Sequence, residues 1–408
     1  MVVLAVVLVL AAVSASAHPH VGRAVANGAW YHESGHTVTS LFARGPGPEI
    51  GSREWVAQYP SLINPPSEAE RDIPAQWLAA YNTVKAAGKI PDIPVSVRGS
   101  YAGHNPMSKD ICSSAGKCRA PGDIWDAPDG KIGFSFDDGP WLGTDKLLDF
   151  MSSVNTTCTH YFIGRNIALR PQLAVRAFNE GHELAVHTWS HPPMTGETDL
   201  GILVQLGWTM QIIHDITGGR VPKYWRPPTG DMDNRVRAIA REVFGLTPVL
   251  WNYDTADWTL GLPRPTYTPE RMAEMIHRWV SGPKSPGLII LQHELSTTSV
   301  DIWINNTYAG ANQYGWEGSA IGPMFDLPMY QNAQDNTSPV TEQTNMAVVP
   351  PDASASASAS GDSTSGGQQP TLSGDSPGAT TSPGGAVNRR AASLSLAIST
   401  LLVAIATW

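Results

Sequence analysis

Short apolar runs alternate with helix-periodic segments between Ile132 and Glu294, and this alternation constrains the fold more than any other feature of the chain. Each run has the length of one buried strand, and each intervening segment repeats its apolar residues at the helical period. Repeated strand–helix units build a parallel sheet that its crossover helices cover. The sequence therefore predicts an α/β fold.

The same pattern gives the approximate bounds of each element. Strands are predicted near 132–136, 159–163, 182–187, 223–227, 247–252 and 287–292. Helices are predicted near 74–87, 144–154, 171–180, 199–217, 233–244 and 269–281. Pro171 and Pro269 suit a first helical turn, and Gly181 suits a helix end.

The beginning of the chain predicts secretion. Residues 2–13 are continuously apolar, and Ala15-Ser16-Ala17 follows them with the small-x-small pattern of a cleavage site. We therefore predict a signal peptide over 1–17. An irregular N-terminal extension rich in Pro and Gly then covers 18–125, and the strand–helix domain covers 126–333.

Beyond this domain the composition changes to Ser, Thr, Pro, Gly and Ala, which cannot bury a core. Residues 334–386 are therefore predicted to form a disordered, O-glycosylated stalk. Small residues at Gly384 and Gly385 and an apolar tail follow, as in the signal for a glycosylphosphatidylinositol (GPI) anchor, so 387–408 are predicted to be removed. A membrane-spanning helix is the alternative. Either one holds the protein at the outer face of the cell membrane and in the cell wall.

The net charge limits the expected partners, and three sequence triplets predict glycosylation. The formal net charge is −9 and the chain has no basic cluster, so nucleic acid is not an expected partner. The triplets that begin at Asn155, Asn305 and Asn336 are glycosylation acceptors, which are expected on exposed loops.

Three cysteines remain after the predicted signal peptide, so at least one thiol of an isolated chain is unpaired. Cys112 with Cys118 is the favoured bridge, and Cys158 is expected to be buried. No pair has the spacing of a zinc knuckle, so any metal is expected to bind histidines and carboxylates.

Polar side chains follow the predicted strands at their carboxyl ends, which share one face in a parallel sheet or barrel. They are Asp137-Asp138, His187, Arg226, Asp254, Asp257 and His293. His187 and His191 at i and i+4 can face the same way on a helical turn. With one carboxylate they would provide the three ligands of an open catalytic zinc site.

With these residues the chain resembles a NodB-type polysaccharide deacetylase of carbohydrate esterase family four, and it most resembles the fungal chitin deacetylases. The resemblance covers about 125–330 and rests on five motifs in the family's order. They are Phe136-Asp-Asp-Gly-Pro140, His187-Thr-Trp-Ser-His191, Arg226-Pro-Pro-Thr-Gly230, Asp254-Thr-Ala-Asp-Trp258 and Ile289-Ile-Leu-Gln-His-Glu294.

The resemblance implies a distorted (β/α) barrel and a role for each site residue. Asp138, His187 and His191 would hold Zn²⁺ or Co²⁺, with Asp137 as general base and His293 as general acid. Arg226 would hold and orient Asp137, and Asp257 would support the imidazole of His293. Leu291 and Trp258 would line the pocket for the acetyl methyl group. The family commonly has an aromatic residue where Thr229 stands, but the Thr229 N–H could still hold the oxyanion. Trp189 and Glu294 also replace residues that are commoner in the family.

Amide hydrolysis needs a Lewis acid, a base that activates water and an acid that protonates the departing amine. The working hypothesis is therefore metal-dependent removal of N-acetyl groups from chitin, giving chitosan and acetate in the fungal cell wall. The alternatives are another acetylated polysaccharide, acetylxylan or peptidoglycan, or a catalytically silent chitin-binding wall protein. Some further residues have either a site role or a structural one: Asp254, Trp189, Trp251 and Trp316. His160 and His277 are expected to be structural or solvated.

Overall fold

The structure, a computed structural model, describes residues 38–42, 47–62 and 73–340. The predicted signal peptide, the stalk beyond 340 and the anchor signal around Gly384 and Gly385 lie outside the described residues. Within these ranges, no helix combines the length and the apolar character that a membrane span requires.

Nine strands are assigned in the described part of the chain. In chain order they are β1 (Lys131–Gly133), β2 (Ser135–Asp137), β3 (Thr159–Phe162), β4 (Glu183–Val186), β5 (Tyr224–Trp225), β6 (Thr247–Pro248), β7 (Tyr253–Asp254), β8 (Leu288–Leu291) and β9 (Glu317–Ser319).

The α-helices of the same ranges flank these strands. They are α1 (Arg53–Val56), α2 (Ala75–Ala86), α3 (Thr144–Ser153), α4 (Gly164–Leu169), α5 (Pro171–Asn179), α6 (Asp199–Ile216), α7 (Asn234–Phe244), α8 (Pro269–Val280), α9 (Thr297–Ile302), α10 (Ala309–Gln313) and α11 (Ile321–Met324). A π-helical segment, Trp303–Tyr308, joins α9 directly to α10.

The strands divide into two sheets in which every pairing is parallel. One sheet has the order β2-β3-β4-β5-β6 and the other β7-β8-β1-β9. The sheets meet where Asp137 pairs with the segment after β8: the Asp137 N–H donates to the Gln292 carbonyl at 3.1 Å, and the Glu294 N–H donates to the Asp137 carbonyl at 3.3 Å. This division of the strands accounts for the distortion expected of the barrel.

The predicted strand over 132–136 is two strands, because the chain passes from one sheet to the other at Phe134. The Phe134 N–H donates to Ser319 at 2.8 Å, while its carbonyl accepts from Thr159 at 2.9 Å. The predicted strand over 247–252 is also shorter, since Leu250 bonds to Ile124 instead of a strand. The sequence pattern did not predict α1, α4, β7, the helix from α9 to α10, β9 or α11.

The predicted helices lie within one or two residues of their expected bounds, and local signals explain their ends. Thr198, Asp233 and Thr268 each accept a hydrogen bond from a backbone N–H in the first turn of α6, α7 and α8. Gly245 ends α7 with a φ of 65°, a left-handed conformation that glycine adopts without strain.

The N-terminal extension shares the main core. Trp77 of α2 is fully buried, lies 5.1 Å from the ring of Trp208 in α6, and donates from Nε1 to the Leu41 carbonyl at 2.7 Å. A Cβ on Gly207 would lie 2.5 Å from the Trp77 ring, so this glycine leaves the space for the indole. The described segments of the extension are therefore part of the folded body, which their irregular sequence did not indicate.

Candidate active site

The predicted polar residues come together at the carboxyl ends of the strands. Asp137 ends β2, and Asp138 follows with a φ of 70°. Asp138 Oδ1 lies 3.3 Å from His187 Nε2 and 3.2 Å from His191 Nε2. His187 comes directly after β4, and its Nδ1–H donates to the Arg226 carbonyl at 2.7 Å, which directs Nε2 toward the carboxylate.

His187 and His191 do not lie on a helical turn, so this part of the prediction was wrong. The loop instead contains two left-handed residues, Thr188 at a φ of 63° and His191 at 65°. The Gln205 side chain of α6 accepts from the N–H groups of Trp189 and Ser190 at 2.8 and 3.0 Å. These contacts fold the loop so that both imidazoles reach Asp138.

The three side chains fit a divalent metal ion. Asp138 Oδ1 is buried and has no hydrogen-bond partner among the described residues, although the Nε2 atoms of His187 and His191 lie 3.3 and 3.2 Å from it. A cation bound between these atoms would satisfy this oxygen. The ligand atoms of Asp138, His187 and His191 all lie within 4.8 Å of one another. One carboxylate with two imidazoles is a common donor set of open catalytic zinc sites.

Burial and charge act against each other on Asp138. Burial alone would raise the pKa of the carboxyl group, but contacts with His187 and His191 and the charge of His293 hold that pKa well below its ordinary value. The carboxylate is therefore ionised and able to bind a cation.

Asp137 is held by a buried guanidinium. Arg226 Nη1 donates to Asp137 Oδ1 at 2.6 Å, while Nη2 donates to Ser135 Oγ at 3.1 Å and Nε to the Val249 carbonyl at 3.1 Å. The Arg226 side chain is inaccessible to solvent and packs over Tyr161, 4.1 Å from the ring centre. Asp137 Oδ2 remains directed toward His187, 3.6 Å from its Nε2.

His293 faces the same carboxylates from the end of β8. Its Nδ1–H donates to Asp257 Oδ1 at 2.7 Å, and its backbone N–H donates to Asp257 Oδ2 at 2.9 Å. Burial disfavours the imidazolium, but Asp257, Asp138 and Asp137 outweigh it and raise the pKa of His293 to about 9. Nε2 lies 3.9 Å from Asp138 Oδ2, so a protonated nitrogen faces the site.

The predicted substrate-contacting residues differ in exposure. Trp258 is 48% exposed, Leu291 is buried at 6%, and Thr229 is exposed with a left-handed φ of 54°. A β-branched residue rarely has a positive φ, so the loop that carries Thr229 is strained. The other tryptophans considered for sugar stacking, Trp189, Trp251 and Trp316, are buried in the core.

The remaining candidates have structural environments. Asp254 accepts the Ala256 N–H at 2.7 Å as a turn former, and His277 is exposed beside Tyr314. Asn155 is exposed, and Asn305 is exposed on the π-helical segment rather than on a loop. Asn336 differs from the expectation of an exposed acceptor, because its amide nitrogen donates to the carbonyls of Phe178 and His182 at 2.7 and 2.8 Å.

The sequence did not indicate the supporting roles of several residues. Ser135 and Thr255 hold Arg226 and Asp257, and Glu294 accepts hydrogen bonds from His160 and Thr144 at 2.7 and 2.6 Å. Ser135 lies two residues before Asp137 in β2, so its place on the same face of the strand was the available signal.

The fold and this site together define an α/β protein with a carboxylate–imidazole group suited to a divalent cation beside a candidate acid and base. The pattern of the Polysaccharide deacetylase family matches residues 126–249. Chitin deacetylase 3 of Cryptococcus neoformans var. neoformans is 36% identical over 312 residues, 74% of each chain. The chitin deacetylase of Amylomyces rouxii is 32% identical over 257 residues, 59% of this chain and 60% of that one.

Among solved structures, the chitin deacetylase of Colletotrichum lindemuthianum is similar over 50% of this chain and 92% of that one, with 21% identity and a TM-score of 0.46. The extent and identity of the Cryptococcus match show the family. The chain belongs to the polysaccharide deacetylase family and is a deacetylase, a hydrolase.

Proposed function

We propose that the protein hydrolyses the N-acetyl groups of chitin, giving chitosan and acetate, with Zn²⁺ or Co²⁺ bound by Asp138, His187 and His191. The observation that carries this proposal is the position of Asp137. It is hydrogen-bonded to the buried Arg226 at 2.6 Å, it borders the three candidate ligands, and it ends β2 where the chain pairs with His293.

Asp137 is proposed as the general base. Arg226 occupies its Oδ1, so only Oδ2 is free to accept a proton from the attacking water. The guanidinium also fixes the direction of the carboxylate, which holds this oxygen in place during the reaction.

His293 is proposed as the general acid. Asp257 fixes its Nδ1–H, so the proton available for the departing amine is on Nε2. A pKa of about 9 keeps this nitrogen protonated at neutral pH. His293 can therefore donate a proton when the carbon–nitrogen bond breaks.

The bound cation would supply Lewis-acid polarisation of the amide carbonyl and lower the pKa of the attacking water. The Thr229 N–H is the proposed second donor to the developing oxyanion. Leu291 and Trp258 are proposed to contact the acetyl methyl group and the sugar, and the wide exposure of Trp258 supports contact with a polymer.

Chitin is favoured over other acetylated polysaccharides because the curated relatives described above are named chitin deacetylases. The test is acetate release by the purified protein from chitin oligomers, acetylxylan and peptidoglycan under one set of metal conditions. We expect release from chitin oligomers alone, and preferential release from either of the others would overturn the choice of substrate.

The Asp137→Asn variant separates an enzyme from a catalytically silent chitin-binding protein. The variant keeps the side-chain volume but cannot accept the water proton, so acetate release should fall by about 100-fold or more. Binding of metal and chitin should remain. A wild-type protein that binds chitin oligomers but releases no acetate with any divalent ion would contradict catalysis.

The proposed location is the outer face of the cell membrane and the cell wall, reached by the signal peptide and the GPI anchor at Gly384 or Gly385. Treatment of intact cells with a phosphatidylinositol-specific phospholipase C tests this proposal. We expect release of the protein into the medium, whereas retention after treatment would contradict a GPI anchor.

A further inference from the structure

A second group of metal-ligand side chains lies outside the candidate active site. Cys158 comes just before β3, His160 lies within it, and His182 comes just before β4. The register that pairs Thr159 with Glu183 also brings Cys158 beside His182. His160 is two residues beyond Cys158 and therefore shares its face of the strand.

The three ligand atoms are evenly spaced. Cys158 Sγ lies 3.3 Å from His160 Nε2 and 3.2 Å from His182 Nδ1, and the two nitrogens lie 3.2 Å apart. Typical Zn–S and Zn–N bonds at tetrahedral angles would separate such atoms by about 3.3–3.6 Å. The cluster thus needs only a small expansion to hold an ion of this size.

The cluster has fewer protons than the three contacts among Cys158 Sγ, His160 Nε2 and His182 Nδ1 would need as hydrogen bonds. The Cys158 N–H points at His182 Nδ1 from 3.3 Å, so this nitrogen carries a lone pair. His160 Nδ1 faces the Glu294 carboxylate at 2.7 Å, which accepts its proton and leaves Nε2 with a lone pair in the neutral ring. With both rings neutral, the thiol proton can serve only one of the two nitrogens, so the contact between His160 Nε2 and His182 Nδ1 at 3.2 Å has no proton of its own unless a cation or an additional proton is bound there.

The surroundings favour a cation. Cys158, His160, Glu183 and Glu294 are each 0% exposed, and His182 is 1% exposed. With the thiol proton released to solvent, a divalent ion would offset the negative charge of the Cys158 thiolate and of the buried carboxyl groups around it. Buried charges require such compensation. The carboxylate on His160 is also the arrangement that typically orients a metal-binding imidazole.

We propose that Cys158, His160 and His182 form a buried structural site for a thiophilic divalent ion of the zinc class. Binding replaces the S–H bond by a metal–sulfur bond and needs no redox step. The ion joins the starts of β3 and β4, and through His160 it holds Glu294 next to His293. The site is separate from the proposed catalytic ion at Asp138.

The test uses the full chain, purified and then dialysed against a chelator, with zinc measured per chain. A completely buried ion exchanges slowly, so we expect the wild type and the His191→Ala variant each to retain one ion. The Cys158→Ser variant, which replaces the thiol by a poor zinc ligand of similar size, should retain none.

Production of the protein with Co²⁺ gives a second readout. Thiolate–cobalt charge transfer absorbs in the near ultraviolet, and we expect this band in the wild type and in His191→Ala. The wild type and His191→Ala both keep Cys158, His160 and His182 unchanged. The absorption of these two samples therefore tests the proposal even if Cys158→Ser does not fold. A wild type that retains no ion and lacks the band would overturn the proposal, and would leave a doubly protonated His160 paired with Glu294. Loss of acetate release alone would concern only the proposed function.

Discussion

The environment of His293 gives a test of its role at the scale of one residue. Asp257 is the strongest of the neighbouring carboxylates that raise the pKa of His293 to about 9 against the effect of burial. An acid with this pKa is active at lower pH and is lost as the pH rises through 9. Asp257→Asn should therefore move the alkaline limb of the kcat/KM profile to lower pH, as measured on chitin oligomers.

The matched control is Asp254→Asn in the same motif. Asp254 accepts the Ala256 N–H and makes no hydrogen bond to His293, although its charge acts on the imidazole. Asp254→Asn should therefore move the alkaline limb to lower pH by less than Asp257→Asn does. An unshifted limb in Asp257→Asn would contradict the assignment of His293 as the group that titrates.

The Arg226–Asp137 pair predicts a large effect on stability. Arg226→Met would remove the guanidinium and leave the Asp137 carboxylate buried without its partner, which should cost about 3–5 kcal/mol. Urea unfolding measures this change in the free energy of unfolding. Arg271→Met removes an exposed pair with Glu274 and should change it by less than about 1 kcal/mol.

At the scale of elements, α2 is predicted to contribute strongly to the stability of the domain. Trp77→Ala would leave a cavity between α2 and α6, and such a cavity typically costs about 3–5 kcal/mol. Leu78→Ala on the neighbouring, exposed face of α2 is the control and should have little effect. If Trp77→Ala and Leu78→Ala changed the free energy of unfolding equally in thermal or urea unfolding, the prediction that the buried Trp77 contact stabilises the domain would be wrong.

Local signals in the sequence predicted most helices and the longer strands, since capping residues and apolar periodicity depend on near neighbours. The sequence did not predict where Phe134 passes between sheets, because that depends on hydrogen bonds to Ser319 and Thr159, far along the chain. The π-helical turns of Trp303–Tyr308 also have no periodic signal of their own.

In the candidate site, too, local motifs predicted some features, while others depended on contacts between distant residues. The five motifs placed Asp138, His187 and His191 at strand ends, and parallel topology was enough to bring them together. The loop around Thr188 and the contacts of Gln205 required the tertiary structure. The Cys158 cluster also required the register between β3 and β4, which one sequence does not specify.

At the scale of the whole molecule, the extension should be necessary for folding. Ile124 bridges to Val249 beside β6, and Trp77 completes the core. A shortened chain of residues 126–340 should therefore lack a cooperative thermal transition, whereas 18–340 should keep one. Circular dichroism during heating distinguishes them, and a cooperative transition in the shorter chain would contradict this prediction.

The junction of the two sheets has a functional consequence. Asp137 and His293 belong to different sheets and are held opposite each other by two backbone hydrogen bonds. Any parting of this junction would separate the proposed proton acceptor from the proposed proton donor while most helices stay folded. The rate of acetate release would then report whether the two sheets are in contact. On warming, the enzyme would lose activity before the circular dichroism signal of its helices declines.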